Sequence, residues 1–228
     1  MSVAGDFISL FYPRFCASCG NSLWKHEEVI CTWCRFHLPK TQYHLDPQNP
    51  LARLFWGRVR IESAAAYYYF HKGNRVQQLV HELKYKGRKD IGIFLGKQYG
   101  HILAHSSLFR AEVIIPVPLH KKKLMQRGYN QSEQFARGLA ESMKVPMDAR
   151  TLIRTRGNET QTRKSRFSRW ENVTGLFLLT DPEKLAGKHV LLVDDVITTG
   201  ATMEACIQAF SRVPGSRVSV ASIAVALI

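Results

Sequence analysis

The stretch His189 to Thr202, HVLLVDDVITTGAT, sets two adjacent carboxylates, Asp194 and Asp195, at the end of an apolar run and follows them with a turn of hydroxyl residues and a glycine. Each carboxylate offers two acceptor oxygens, so the pair can receive hydrogen bonds from two neighbouring hydroxyls of a sugar. If the apolar run is a buried strand and ATMEACIQAFSRV is a helix, then Thr198, Thr199, Gly200, Ala201 and Thr202 form the turn between them. The first amides of a helix point outward with a partial positive charge, an arrangement that cradles a phosphate. Gly200 lets the backbone approach the anion, and the three threonines add donors. One segment could thus hold a ribose 5-phosphate from both ends, its diol on the acids and its phosphate on the loop. The plainer alternative is an Asp-containing turn with threonine caps, and two acids alone would not separate the readings. The whole string is much more specific than the acids.

A second constellation lies at the front of the chain. Four of the five cysteines form two C-x-x-C pairs, Cys16 with Cys19 and Cys31 with Cys34, separated by 11 residues. Two thiolates on a tight turn point at one place, and two such turns complete a tetrahedral sulfur site that suits zinc. Gly20 fits the knuckle turn. Disulfides or a redox pair are the alternatives, but the first ten residues carry Asp6 and no basic start, which predicts no export signal and a reducing, cytoplasmic setting. With four thiolates and no open position, the metal would be structural. So small a segment cannot bury much core, and the ion would hold it together. His26 and His37 read as bystanders, and Cys206, alone on an apolar helix face, as core.

Elements must position these groups. RVRIESAAAYYYF is rich in β-branched and aromatic residues and predicts one or two strands; Val76, Leu79, Val80 and Leu83 then recur at helical spacing, ending near Gly87. A helix from Ile91 to about His105, a strand in EVIIPVPLH, a helix in NQSEQFARGLAESM and a strand in GLFLLT follow. KHVLLVDD, ATMEACIQAFSRV and RVSVASIAVALI close the chain as strand, helix and strand. Strands alternating with helices predict an α/β fold, a parallel sheet with helices on both faces. Ligands of such sheets bind beyond the carboxyl ends of the strands, where Asp194 and Asp195 fall. The expected organisation is a four-cysteine zinc-binding module over residues 1–45, a linker over 46–58 that ends in an apolar docking stretch, and a domain over 59–228. The longest apolar run, Val218 to Ile228, is well short of the roughly 20 residues that span a bilayer, so no membrane insertion is expected.

The charge narrows the partners. With 32 Lys and Arg against 18 Asp and Glu, the net charge is +14, which favours anionic partners such as nucleic acid, phosphorylated metabolites or an acidic protein. A basic surface that only aids solubility is the alternative, and local clustering argues against it. Basic residues gather between Arg150 and Trp170, interleaved with Phe167, and again at Lys121 to Lys123 with Arg127.

VLLVDDVITTGAT resembles the phosphoribosyl pyrophosphate motif of type I phosphoribosyltransferases. Over nearly the whole chain the sequence resembles one branch of them, the ComF family, associated with natural competence and DNA uptake. The double C-x-x-C, LKYKGRKD at Leu83 to Asp90, PVPLHKKKLMQRGYNQ at Pro116 to Gln131 and RTRGNETQTRKSRFSRWENVTGLF at Arg154 to Phe177 carry the likeness. Lys123 stands where arginine is common and Tyr129 where phenylalanine is common, with charge and aromatic character kept. The resemblance implies a type I phosphoribosyltransferase fold behind a small N-terminal zinc ribbon built on the four cysteines. It implies a pyrophosphate loop at Val117 and Pro118 with Lys123 and Arg127 close behind, although some of those lysines could simply solvate a loop. It also implies a basic lid over Arg156 to Trp170 with Arg163 acting on the leaving group, and magnesium steadying the pyrophosphate. Asp194, Asp195 and Arg163 are the expected catalytic residues. An acceptor would sit near Tyr67 to Arg88, where the tyrosines could equally be sheet core.

Three function classes stay open: transfer of ribose phosphate to an unnamed acceptor, handling of single-stranded DNA or of a helicase or recombination-mediator partner, and non-catalytic sensing of phosphoribosyl pyrophosphate. The favoured reading puts a phosphoribosyltransferase site inside a DNA-uptake protein.

Overall fold

A computed structural model describes residues 13–155 and 176–226. Its main sheet has four parallel strands in the order β1 (Ala64–Tyr69), β6 (Arg217–Val225), β5 (His189–Ile197), β2 (Val113–Pro116). Parallel strands covered on both faces read as continuous apolar runs, and here Val190 to Val193, Val220, Ala221, Ile114 and Ile115 are all buried. A small antiparallel pair, β3 (Leu152–Arg154) with β4 (Phe177–Leu179), lies outside that sheet.

The connections locate the crevice. After β2 the chain runs through helix α6 (Gln131–Met143) and returns outside β2, where Met147 pairs with Ile114 in parallel. After β5 it runs the other way, through α7 (Ala201–Phe210) to β6. Right-handed crossovers in opposite directions put their helices on opposite faces and open a gap between the two strands at their carboxyl ends. That gap is bounded by Val117 and Pro118 on one side and by Asp194 to Thr202 on the other.

Helix α3 (Arg75–Tyr85) buries Val76, Leu79, Val80 and Leu83, the four residues whose spacing predicts it. It leads into α4 (Lys89–Ala104), which packs closely on α6. Glycines permit the approach: a Cβ at Gly138 would lie 2.1 Å from the carbonyl oxygen of Ile93, and one at Gly96 2.2 Å from that of Phe135. Beyond the cysteine module, two short helices differ from the sequence expectation. The first, α2 (Pro50–Arg53), sits within the expected linker; Asn49 caps it, its proline occupies the first turn, and Leu51, Ala52 and Phe55 are buried. The second, α5 (Lys121–Arg127), follows the end of β2, capped by His120 and closed by Gly128 at φ 75°. It buries no residue, so no apolar periodicity announces it.

The cysteine module precedes the sheet and docks on it. Its α1 (Thr32–His37) starts at Cys31, and the chain beyond reaches the β1 edge, where Lys40 and Tyr68 form an antiparallel bridge. Tyr67 and Tyr68 are buried, and Tyr67 stacks on Tyr99 at 4.7 Å, which settles both as core rather than base-stacking surface. No helix among the described residues is long and apolar enough to cross a membrane.

Candidate functional site

The cysteine cluster is built by local spacing. The sulfurs of Cys16, Cys19, Cys31 and Cys34 all lie within 4.8 Å of one another, with Cys19 and Cys31 3.7 Å apart, close to the separation that four Zn–S bonds of about 2.3 Å impose on a tetrahedron. Gly20, at φ 79°, closes the first knuckle by donating to the Cys16 carbonyl at 2.9 Å. Burial opposes ionisation of Cys16, but backbone donors, the Cys31 N–H foremost, outweigh it and bring the thiol down to about 7. Burial drives Cys34 up to about 12. A thiol in that position ionises only against a cation, so the donor set fits a metal ion such as zinc. The ring of His37 is stacked on Trp33, in keeping with a bystander. Cys206 is fully buried in the core.

The crevice is built by topology. Ser132, at the start of α6, donates to Asp194 Oδ1 at 2.8 Å, and the Asp195 N–H reaches the same oxygen at 2.8 Å. Lys84, near the end of α3, pairs with Asp195 at 2.9 Å. Burial, and then the neighbouring charge of Asp195, push the Asp194 carboxyl up to about 7, while Ser132 pulls the other way. One lysine thus serves two adjacent carboxylates, and Asp194 is the one left short of positive charge, the condition that a diol and a divalent cation would relieve.

Beyond them, Thr198 and Thr199 are exposed, and Gly200 caps α7 at φ 75° with no side chain of its own, so that the first helical amide, that of Ala201, is met among the described residues only by Thr199 Oγ1, at a long 3.5 Å. Gly200 is required twice over, by its left-handed backbone and because a Cβ would sit 3.0 Å from Leu54 Cδ2 and 3.1 Å from Phe55 Cε1. Asp194, Val196 and Thr198 to Thr202 line a small cup around this helix end. Across the gap, Asn130 donates to the Val117 carbonyl at 2.9 Å and accepts from the Ser132 N–H at 3.1 Å, locking the end of β2 to α6. Arg127 is held by Gln131 at 2.8 Å and lies over the Tyr85 ring, while Lys123 is exposed on α5. The structure therefore gathers Asp194 and the Thr198 to Thr202 loop around one cup, with Asp195 next in the strand and Val117, past the end of the adjoining strand, bonded to Val193, whereas Lys123 and Arg127 lie on α5, beyond the end of β2, and do not line that cup. Arg163 and the rest of the Arg156 to Trp170 stretch lie outside the described residues.

Sequence reasoning did not single out Ser132, Lys84 or Asn130. Lys84 falls inside the LKYKGRKD stretch and Asn130 inside PVPLHKKKLMQRGYNQ, so the signal was present without a partner to give it meaning.

A phosphoribosyl transferase domain model matches residues 130–226. That match, the parallel sheet and the four-cysteine cluster ahead of it define a type I phosphoribosyltransferase fold with an N-terminal four-cysteine module that could hold a metal ion. The DNA utilization protein YhgH of Escherichia coli K12 is 28% identical over 214 residues, 90% of this chain and 87% of that one. Competence protein ComFC of Bacillus subtilis is 25% identical over 79% of this chain and 77% of its own, and competence protein F of Haemophilus influenzae is 36% identical over 40% and 41%. The named relatives and the domain match together support the ComF family as the one this chain is similar to.

Proposed function

We propose that the crevice binds 5-phosphoribosyl 1-pyrophosphate with Mg2+ and transfers its ribose phosphate to an acceptor, releasing pyrophosphate, in a protein that serves DNA uptake. The observation that supports this reading is the pairing of two adjacent carboxylates, which share one lysine, with a helix N-terminus whose cap residue is a glycine at one sheet switch point. Thr198 to Thr202 would take the 5-phosphate on backbone amides and hydroxyls. Asp194 and Asp195 would take the ribose diol, with Ser132 and Lys84 fixing the two carboxylates. The chain leaving β2, through Val117, Pro118, Lys123 and Arg127, faces the pyrophosphate side. Mg2+, met by Asp194 and Asp195, supplies charge neutralisation for the polyanion when bound. Displacement at the anomeric carbon develops positive charge on the sugar, which two nearby carboxylates stabilise. In the cysteine module, zinc is the metal that four thiolates at this spacing favour, with a structural role.

A thermal shift tests the binding claim. A ligand that binds only the folded chain raises its stability with concentration, by about 2.7 kcal/mol at a hundredfold excess over Kd. Phosphoribosyl pyrophosphate with Mg2+ should raise the melting temperature in a saturable way. No shift at millimolar ligand would contradict the reading.

A specific observation favours a second, compatible role. Trp24 and Phe36 are each 73% exposed on the cysteine module, with Phe15 and Trp33 also exposed, and Arg75 lies over the Trp33 ring at 4.1 Å. Aromatics among basic residues form a stacking platform for single-stranded DNA. The relatives' names, DNA utilization and competence, point the same way. Trp24→Ala with Phe36→Ala should weaken single-strand binding without changing the response to phosphoribosyl pyrophosphate.

A further inference from the structure

Arg58 stands at the end of the segment that joins the cysteine module to the sheet, outside every motif discussed above. Its guanidinium nevertheless reaches the phosphate loop. Nη1 donates to the carbonyls of Leu54 and Thr199, each at 3.1 Å, and Nη2 meets the carboxylate of Glu204.

Both contacts bear on an anion cradle. The Thr199 carbonyl and the Gly200 N–H belong to one planar trans peptide, so the two groups point in opposite directions. Tying the carbonyl to Arg58 turns the acceptor away from the cup and presents the Gly200 N–H to the other side. Glu204 sits in the first turn of α7, and its carboxylate favours the helix end for the same reason that a phosphate does. Left uncompensated, it would compete with an incoming phosphate for the same positive potential. Arg58 cancels that charge. The same segment supplies Leu54 and Phe55, which pack against Gly200 and hold the loop from behind.

We infer that Arg58 is a positioning residue of the phosphate cradle, orienting the Thr199–Gly200 peptide and neutralising Glu204, so that the joining segment is one wall of the ligand site. This inference rests on the phosphoribosyl pyrophosphate reading above and adds a residue that no motif contains.

The test is calorimetric titration of phosphoribosyl pyrophosphate with Mg2+ into wild type, Arg58→Gln, Glu204→Gln and the double variant, with each fold checked by thermal melting. Arg58→Gln should weaken binding about tenfold, as expected when a charge-assisted contact is lost beside an anion. Glu204→Gln alone should bind at least as tightly as wild type. The double variant should recover a clear part of the loss, a rescue that a purely structural arginine would not show. Wild-type affinity in Arg58→Gln, or no recovery in the double variant, would overturn the inference. Should Arg58→Gln fail to fold, weaker binding by Glu204→Gln would overturn it on its own. A wild type that binds no phosphoribosyl pyrophosphate would instead fail the underlying reading, which keeps the two outcomes apart.

Discussion

The cysteine module and the crevice both gather groups that repel or desolvate one another, yet they do so in opposite ways. Four sulfurs come together because two C-x-x-C turns lie within 19 residues of sequence, and the module around them is held by a handful of backbone bonds. Two carboxylates are adjacent in sequence, but what makes them a site arrives from afar: Ser132 from α6, Lys84 from α3, Arg58 from the joining segment. In the module, then, the clustered groups provide the stability once a metal is bound. In the crevice the fold provides the stability, and the clustered groups draw on it. The difference teaches how to separate a structural cluster from a functional one: removing the first should destabilise, and removing the second should stabilise.

The largest expected effect is on the module. Structural zinc in small modules is worth an apparent 10–16 kcal/mol, roughly, at neutral pH. Chelation, or Cys31→Ser, should therefore open residues 13–40 to proteolysis while the 59–155 region stays protected. Loss of protection in both regions together would break the contrast.

Next comes the frame of the crevice. Gly138→Val puts side-chain atoms where only 2.1 Å separates a Cβ from the Ile93 carbonyl, and should cost about 3 kcal/mol or more in denaturant unfolding. Because α6 also carries Ser132, ligand affinity should fall with stability.

A smaller effect of opposite sign follows at Asp194. Its carboxyl is held at about 7 when folded, against an ordinary 3.8. Between those values the folded chain keeps a proton that the unfolded chain has lost, so the stability tied to this group is full below pH 3.8 and is lost as pH rises through 7. Asp194→Asn should thus be more stable than wild type at pH 8, by about 2 kcal/mol, and nearly equal to it at about pH 4. A destabilised Asn variant at pH 8 would mean that Asp194 serves the fold.

The smallest effect belongs to Ser132→Ala, which removes the hydroxyl that lowers the Asp194 carboxyl. About 1 kcal/mol of hydrogen bonding is at stake, so affinity at pH 7 should fall about fivefold, and the midpoint of its pH dependence should move upward. An unchanged midpoint would show that Ser132 does not act through that carboxyl.

The sequence was most legible where a signal is periodic or local. The Val76, Leu79, Val80, Leu83 spacing predicts a helix that buries those four residues, and the C-x-x-C pairs predict a sulfur cluster that the structure assembles. Legibility fails in two ways. Helix α5 buries nothing, so only its His120 and Gly128 caps mark it, and α2 hides behind a proline that reads as a breaker although it occupies the first helical turn. The partners of the site are silent for a different reason. Ser132 lies 62 residues from Asp194 and Arg58 lies 141 from Thr199, and only the order of strands brings them together. The glycines of α4 recur at Gly92, Gly96 and Gly100, but their meaning depends on another helix, α6, where they face Gln134, Gly138 and Ser142 in turn.

The central claim is that Asp194, Asp195 and the loop behind them exist to hold a ribose phosphate. Its most direct test is calorimetric titration of phosphoribosyl pyrophosphate with Mg2+ into wild type and into the Asp194→Asn, Asp195→Asn double variant, with folding of the variant verified by melting. Saturable binding to wild type, lost in a variant that melts no lower at pH 8, is the predicted result. Equal binding by both proteins, or none by wild type, would contradict it.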